Sequence, residues 1–468
     1  MPETLPGPSA PDASAAGPSA PAPPAGTSQS RAILRLAVPA FGALIAEPLF
    51  LLADSAIVGH LGVAELAGVG LAATVLQTAV GLMVFLAYST TPAVARLLGA
   101  GRRADALAVG RDGLWLAALL GVVLAAAGWL TATPLLSALG ADGEVLDFAR
   151  HYLVVSMAGI PAMLVVLAAT GVLRGLQDTR TPLVVAGLGF AVNIVLNFAL
   201  VYGLHMSVAG AALGTVLAQW GMAATYLVMV VRAARAAGVG LRPDWVGVRT
   251  VSRVGSWLMV RTLSLRIAIV ATVIVATAQG SVNLAAHQLA MTVFSFLAFA
   301  LDALAIAAQA LIGKELGAGN VTAVRALTRT MTRWGLGFGV VTGLALWAAS
   351  GGVGWIFTTD VGVHHALAAA LVVMALGQPL AGYVFVLDGV LIGAGDARYL
   401  ALAGLANLVI YLPLLFWVQA AQPLENPAAL AWLWAAFSLG YMAARALTLG
   451  LRARTGRWMR VGAVAGRG

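Results

Sequence analysis

Long, almost purely apolar stretches follow one another along this chain, each closed by a short cluster of Gly, Pro, Asn or charged residues. None alternates with period two, and most exceed the roughly 20 apolar residues that a helix needs to cross a bilayer. In the first half these windows fall at 33–58, 64–98, 106–138, 144–173, 180–203 and 207–237. The pattern then starts again. Shifting by 218 positions puts Leu66-Ala67 on Leu284-Ala285 and Leu98-Gly99-Ala100-Gly101 on Leu316-Gly317-Ala318-Gly319. The same shift puts Pro161 on Pro379, Gly171-Val172-Leu173 on Gly389-Val390-Leu391, and Asp178 and Arg180 on Asp396 and Arg398. It predicts windows at 251–276, 282–316, 324–356, 362–391, 398–421 and 425–455, all of them apolar. The expected fold is therefore an all-α polytopic membrane protein of twelve helices. Its two six-helix lobes share one topology, which places a pseudo-two-fold axis along the membrane normal. Windows longer than the bilayer is thick imply tilt or projection.

This reading divides the chain into a disordered cytoplasmic tail (1–30), an N-lobe (31–237), a polar cytoplasmic linker (238–249), a C-lobe (250–455) and a basic cytoplasmic tail (456–468). The first 30 residues are Pro, Ala, Ser and Gly with few large apolar side chains, too little to bury a core. They also lack the basic start and apolar core of a secretory signal.

Composition agrees. Hydrophobic residues make up 61% of the chain and charged ones only 10%, whereas soluble domains carry about 25% charged residues. Mean hydropathy is +0.94. The net charge of +9 does not indicate nucleic acid, because the cations sit between apolar windows. Arg31 and Arg35, Arg102 and Arg103, Arg174 and Arg180, Arg242 and Arg249, Arg325 and Arg329, Arg398, and Arg452 to Arg467 all fall on one side of the predicted topology. By the positive-inside rule both termini are expected in the cytoplasm and the protein in the cell membrane. Without Cys there is no disulfide or thiol chemistry. No His pair has ligand spacing, and no nucleotide-binding loop is present. Glycines such as Gly335, Gly337 and Gly339 suit close helix packing. An enzyme, a metal site and an organic cofactor are not expected.

A charge at bilayer depth costs at least about 2.5–3.5 kcal/mol, so it has a role or a partner. Glu47 and Asp54 lie two turns apart on one face of the first window, beside Pro39, which lacks the N–H that would continue the helix and predicts a bend there. A carboxylate removed from water favours its protonated form, which makes this pair a candidate proton carrier. Asn193 with Asn197, and Thr215 with Gln219, repeat a spacing of four and form a candidate polar cavity. Asp302, Asp388, Arg261 and Arg266 form a candidate charge network. Helix rise places Arg261 and Asp302 at similar depths on consecutive antiparallel helices and predicts that they pair, leaving Asp388 or Glu47 for Arg266. His287 is expected at the outer interface.

Together these motifs resemble the multidrug and toxic compound extrusion (MATE) family, in its DinF-like branch. The resemblance runs from about residue 31 to 455. It rests on Pro39 with Ala53-Asp54-Ser55-Ala56-Ile57-Val58-Gly59-His60-Leu61-Gly62, and on Arg174-Gly175-Leu176-Gln177-Asp178-Thr179-Arg180-Thr181-Pro182. Ala285-Ala286-His287-Gln288, Ala300-Leu301-Asp302 and Asp388-Gly389-Val390-Leu391-Ile392-Gly393 add to it. The resemblance implies two lobes around a central cleft and export driven by inward flow of H+ or Na+. It assigns coupling to Asp54, bending to Pro39, and polar cluster roles to Asn193, Asn197 and Thr215. Asn197 stands where some relatives carry an acid, which leaves Glu47 as a second acid. The reading that follows is a monomeric cation-coupled antiporter, with H+ favoured over Na+. It would export organic, cationic or amphiphilic small molecules among membrane lipids. The alternative is a flippase for lipid-linked precursors, which the short supply of intramembrane cations disfavours.

Overall fold

The computed structural model describes residues 27–421 and 427–463, with the backbone alone for Thr27, Ser28, Glu47, Leu51 and Pro427. The tail expected at 1–30 and the basic tail at 456–468 therefore fall largely or partly outside the described residues. The Glu47 side chain falls outside them too.

The chain is helical throughout the described membrane region and forms twelve spans. They are α1 (Thr27–Gly59), α2 (Val63–Met83 continued by Phe85–Gly99), α3 (Arg103–Ala138), α4 (Gly143–Met157 and Ile160–Gly175), α5 (Arg180–Phe198 with a π-turn at Ala199–Gly203) and α6 (Ser207–Ala236). The second half has α7 (Trp245–Ala278), α8 (Ser281–Gly317), α9 (Val321–Phe357), α10 (Val361–Gly393) and α11 (Ala397–Ala421). It closes with α12, made of Pro427–Ala435, a π-turn at Ala436–Tyr441, and Met442–Arg454.

Three details differ from the sequence reading. Residues 245–249, expected as linker, are the first turn of α7. The Asp244 side chain starts that helix by accepting from the Val246 amide. α4 is not one rod: its parts meet at 51° across Ala158-Gly159. Pro39, where a bend was expected, lies with Pro48 inside an uninterrupted helix.

The repeated Leu-Gly-Ala-Gly segments end α2 and α8 identically. Gly101 and Gly319 have φ of 75° and 76°, a left-handed conformation that only glycine adopts without strain. There the chain leaves each helix through paired bonds, Gly101 N to Leu98 O (3.0 Å) and Arg102 N to Leu97 O (2.9 Å) in the first half. Gly319 N to Leu316 O (3.2 Å) and Asn320 N to Glu315 O (2.9 Å) repeat them in the second.

Packing follows the same symmetry. α1 lies on α5 and α7 on α11, while α3 packs on α4 and α9 on α10. The lobes meet where α8 runs against α1 and the second part of α2. A Cβ on Gly99 would strike the Lys314 carbonyl, and one on Gly317 would strike the Arg96 carbonyl. These two contacts are exchanged by the 218-residue shift, so they mark where the pseudo-two-fold axis passes between the helices.

Candidate functional site

Asp54, on α1, is only 6% exposed. Asn197 Nδ2 donates to its Oδ1 at 2.6 Å, and the Tyr152 hydroxyl donates to its Oδ2 at 3.3 Å. The same Asn197 amide lies 3.1 Å from Asn193 Oδ1. Asn193 Nδ2 donates in turn to Thr215 Oγ1 (3.0 Å), and the Thr215 hydroxyl donates to the Ala211 carbonyl (3.0 Å). One connected network thus runs from α1 through α5 to the backbone of α6, with Tyr152 entering from the first part of α4. The spacing of four on α5 explains why both asparagines point at α1. Gly214 lets α6 approach: a Cβ there would overlap Asn197 Oδ1. The π-turn begins two residues past Asn197, and within it the Tyr202 hydroxyl donates to the Ile57 carbonyl of α1 at 2.6 Å. Such turns recur at functional positions because they re-aim side chains inside a helix.

The chemistry of this arrangement is switch-like. An ionised Asp54 only accepts, which matches the two donors aimed at it. A protonated Asp54 must donate through one oxygen, so Tyr152 or Asn197 has to reorient. Gain or loss of one proton therefore changes bonds among three helices.

Tyr152 was not anticipated from the sequence. An isolated tyrosine near the end of an apolar window reads as an interfacial anchor, and nothing local shows that α4 turns it inward. Gln219, expected in the cavity, instead lies against Gly159 at the break in α4.

At the matching positions of the C-lobe the acid is absent. Thr272 replaces Asp54, Tyr411 replaces Asn193, and their hydroxyls are 2.6 Å apart. The C-lobe charges gather elsewhere. Arg261 pairs with Asp388 rather than with Asp302: its Nε donates to Oδ1 at 3.1 Å and its Nη2 to Oδ2. Arg445 Nη2 adds a second cation 3.7 Å from Asp388 Oδ1. Asp302 is half-buried in the field of Arg261, Arg445 and Arg174 without a direct ion pair. The expected pairing considered only consecutive helices, yet α7 packs mainly on α11, and the long arginine arm reaches α10. Arg266 lies against Gly81 of the other lobe. Arg445 escaped notice because it sits in a basic-ended window that reads as a helix terminus. His287 is also not interfacial. It is fully buried, its ring 5.7 Å from that of Trp434.

Two pseudo-symmetric six-helix lobes of membrane-spanning helices, with a buried carboxylate network in one lobe and a compensated ion cluster in the other, have the build of a membrane transporter. Residues 39–199 and 258–417 match the MatE family. The chain is 31% identical over 405 residues to the DNA damage-inducible protein F of Escherichia coli (strain K12), covering 83% of this chain and 87% of that protein. It is 26% identical over 375 residues to a probable multidrug resistance protein NorM of Thermotoga maritima, with 78% and 80% covered. Among solved structures, the Vibrio cholerae MATE transporter VcmN in its bent form superposes with a TM-score of 0.83 at 20% identity, covering 92% of this chain and 99% of that one. A MOP superfamily transporter from Pyrococcus furiosus gives 0.82 at 23% identity, with 92% and 96% covered. The chain belongs to the MatE family of multidrug and toxic compound efflux transporters and is not an enzyme.

Proposed function

We propose that this protein is an H+-coupled antiporter in the cell membrane, with both termini in the cytoplasm, exporting amphiphilic organic cations by alternating access. The observation that carries the reading is the Asp54 network: a single buried carboxylate held by donors from α4 and α5. Outward-facing Asp54 takes a proton, turns one of its acceptor positions into a donor, and forces Tyr152 or Asn197 to reorient, which loosens the bonding of α1 to its neighbours. The cavity then changes shape and substrate leaves. Proton release on the other side restores the network. For this cycle, proton and substrate must differ in affinity between the two conformations.

Among the described side chains Asp54 is the acid in a cluster of neutral groups, which supports a cationic substrate, because a bound cation and a proton would compete for one charge. The C-lobe cluster supports a structural role, since Asp388 is already matched by Arg261 and Arg445. The name of the Thermotoga maritima relative, a multidrug resistance protein, supports export of foreign compounds. The arginine-rich face shared by both halves supports the orientation. The reading treats the protein as a monomer among lipids, needing no cofactor beyond the coupling ion. Purified protein in liposomes tests it: an imposed pH gradient should drive uptake of a fluorescent organic cation, and Asp54→Asn should abolish that uptake while keeping insertion.

A further inference from the structure

On the arginine-rich face the lobes are joined by more than the α2–α8 crossing. Beyond α12 the described residues, to Ala463, stay packed on the molecule. Trp458 is 4% exposed and packs into the main core. The segment then runs across the seam. The Gly462 amide donates to the Leu316 carbonyl at the end of α8 (3.0 Å). Ala463 reaches the N-lobe cluster of Val94, Leu97, Ala106 and Val172. Holding it there is Arg96, near the end of α2 in the N-lobe and only 2% exposed. Its Nη1 donates to the Arg460 carbonyl at 2.6 Å and reaches that of Gly462 at 3.4 Å. Its Nη2 donates to the Ala394 carbonyl, in the C-lobe loop after α10, at 2.8 Å.

A guanidinium buried this deeply needs acceptors on all sides, and here the three carbonyls it donates to belong to the C-lobe or to the chain that follows it. Arg96 is thus a cross-lobe anchor, bonded to carbonyls rather than to a carboxylate. Among the described residues no such strap is bonded to its repeat mate, Lys314. A second tie sits beside this one. Gln177 adopts φ of 67° where its repeat mate is Gly395, and its Nε2 donates to the Ala310 carbonyl of α8 at 2.9 Å. A non-glycine residue held in the left-handed region stores strain, and such strain concentrates where conformation matters.

We infer that Arg96 is the positioning residue of a gate on this face, and that Thr455–Ala463 is the strap that holds the gate shut. Opening of the transporter on this face requires Arg96 to release Arg460, Gly462 and Ala394 together, so the strap sets how long the closed state lasts. The inference does not depend on which ion or substrate is carried.

The absence of native Cys allows a direct test. Ala95 is fully buried, and its Cβ lies 3.1 Å from where a Cβ on Gly313 of the opposite lobe would sit. A single Ala95→Cys is therefore reachable by a membrane-impermeant maleimide only when the seam opens. Labelling is measured on inserted full-length protein without substrate or ion gradient and normalised to labelling after denaturation. Truncation after Thr455 should raise the rate by about tenfold or more, as loss of charge-assisted bonds to carbonyls implies. Gly462→Pro removes the amide donor and forbids the φ of 105° found there. It leaves Trp458 in place, so it should raise the rate even if the truncated chain inserts poorly. Arg96→Ala should raise it as well, and Arg96→Lys should recover part of the protection. Rates unchanged in Gly462→Pro and Arg96→Ala would overturn the strap. Because labelling needs no transport, that result would leave the proton-coupling reading standing, and loss of coupling in Asp54→Asn would leave the strap standing.

Discussion

Asp54→Asn isolates the proton-binding step with little change in shape. In the structure Asp54 accepts 2.6 Å and 3.3 Å bonds from Asn197 and Tyr152. The asparagine oxygen can keep the Asn197 bond, while its amide faces the Tyr152 hydroxyl, which rotates to accept. What is lost is the charge assistance of those bonds. Bonds to charged groups contribute about 1.5–3 kcal/mol against about 0.5–1.5 kcal/mol for neutral ones. Over the two bonds a stability loss of about 2–3 kcal/mol is therefore the most the substitution should cost, small enough to preserve insertion. The functional loss should be complete. One pH unit corresponds to about 1.4 kcal/mol per proton, a tenfold substrate gradient for one-to-one exchange, and a residue that binds no proton converts none of it. The assay is dye accumulation in proteoliposomes at an imposed gradient of about one pH unit, with insertion and thermal stability checked on the same sample. The wild type should approach tenfold accumulation and Asp54→Asn should stay at the passive level. A mutant that accumulates dye like the wild type would refute the assignment of Asp54.

Three further outcomes follow from named contacts. Gly214→Ala should push Asn197 away from Asp54, costing about 1–3 kcal/mol by overpacking and lowering coupled transport. An unchanged thermal midpoint and unchanged transport would show that the close approach is dispensable. Arg261→Met should leave Asp388 with only the more distant Arg445 and destabilise the C-lobe by about 3–5 kcal/mol. Adding Asp388→Leu should recover much of that loss in a detergent thermal-shift measurement. Tyr411→Phe breaks the Thr272–Tyr411 bond at the C-lobe position equivalent to the Asp54 network, and should cost about 1 kcal/mol while leaving the pH-driven dye gradient intact.

The architecture was legible because membrane crossing imposes a length and an apolar composition on every helix, and because the chain states its pattern twice. The offset of 218 located twelve spans and the paired Leu-Gly-Ala-Gly segments, whose contacts of Gly99 with Lys314 and of Gly317 with Arg96 the structure then shows to be mirrored. The core of the site was legible for a similar reason: Asp54, Asn193, Asn197 and Thr215 are polar residues with helical spacing where polarity is expensive. What the sequence left hidden depends on lateral position, which helical periodicity does not encode. Depth alone suggested Arg261 with Asp302, whereas the long arginine arm finds Asp388 on α10. Tyr152 enters only because α4 breaks at Ala158-Gly159, and no glycine-proline pair inside an apolar run fixes a bend angle in advance. His287 reads as interfacial from its place near a helix start, and its burial follows from Trp434 of α12 packing over it. Arg96 stands near the end of the second apolar window, and nothing in its sequence surroundings marks it. Its role exists only once the chain after α12 has crossed back over the seam.

The central claim is that Asp54 couples this family's transport to protons, and proteoliposomes loaded so that the H+ and Na+ gradients are imposed one at a time test it most directly. The account predicts substrate accumulation under the pH gradient alone, abolished in Asp54→Asn, and none under the Na+ gradient. Accumulation driven by Na+ at equal pH on both sides, or by the pH gradient in Asp54→Asn, would contradict it.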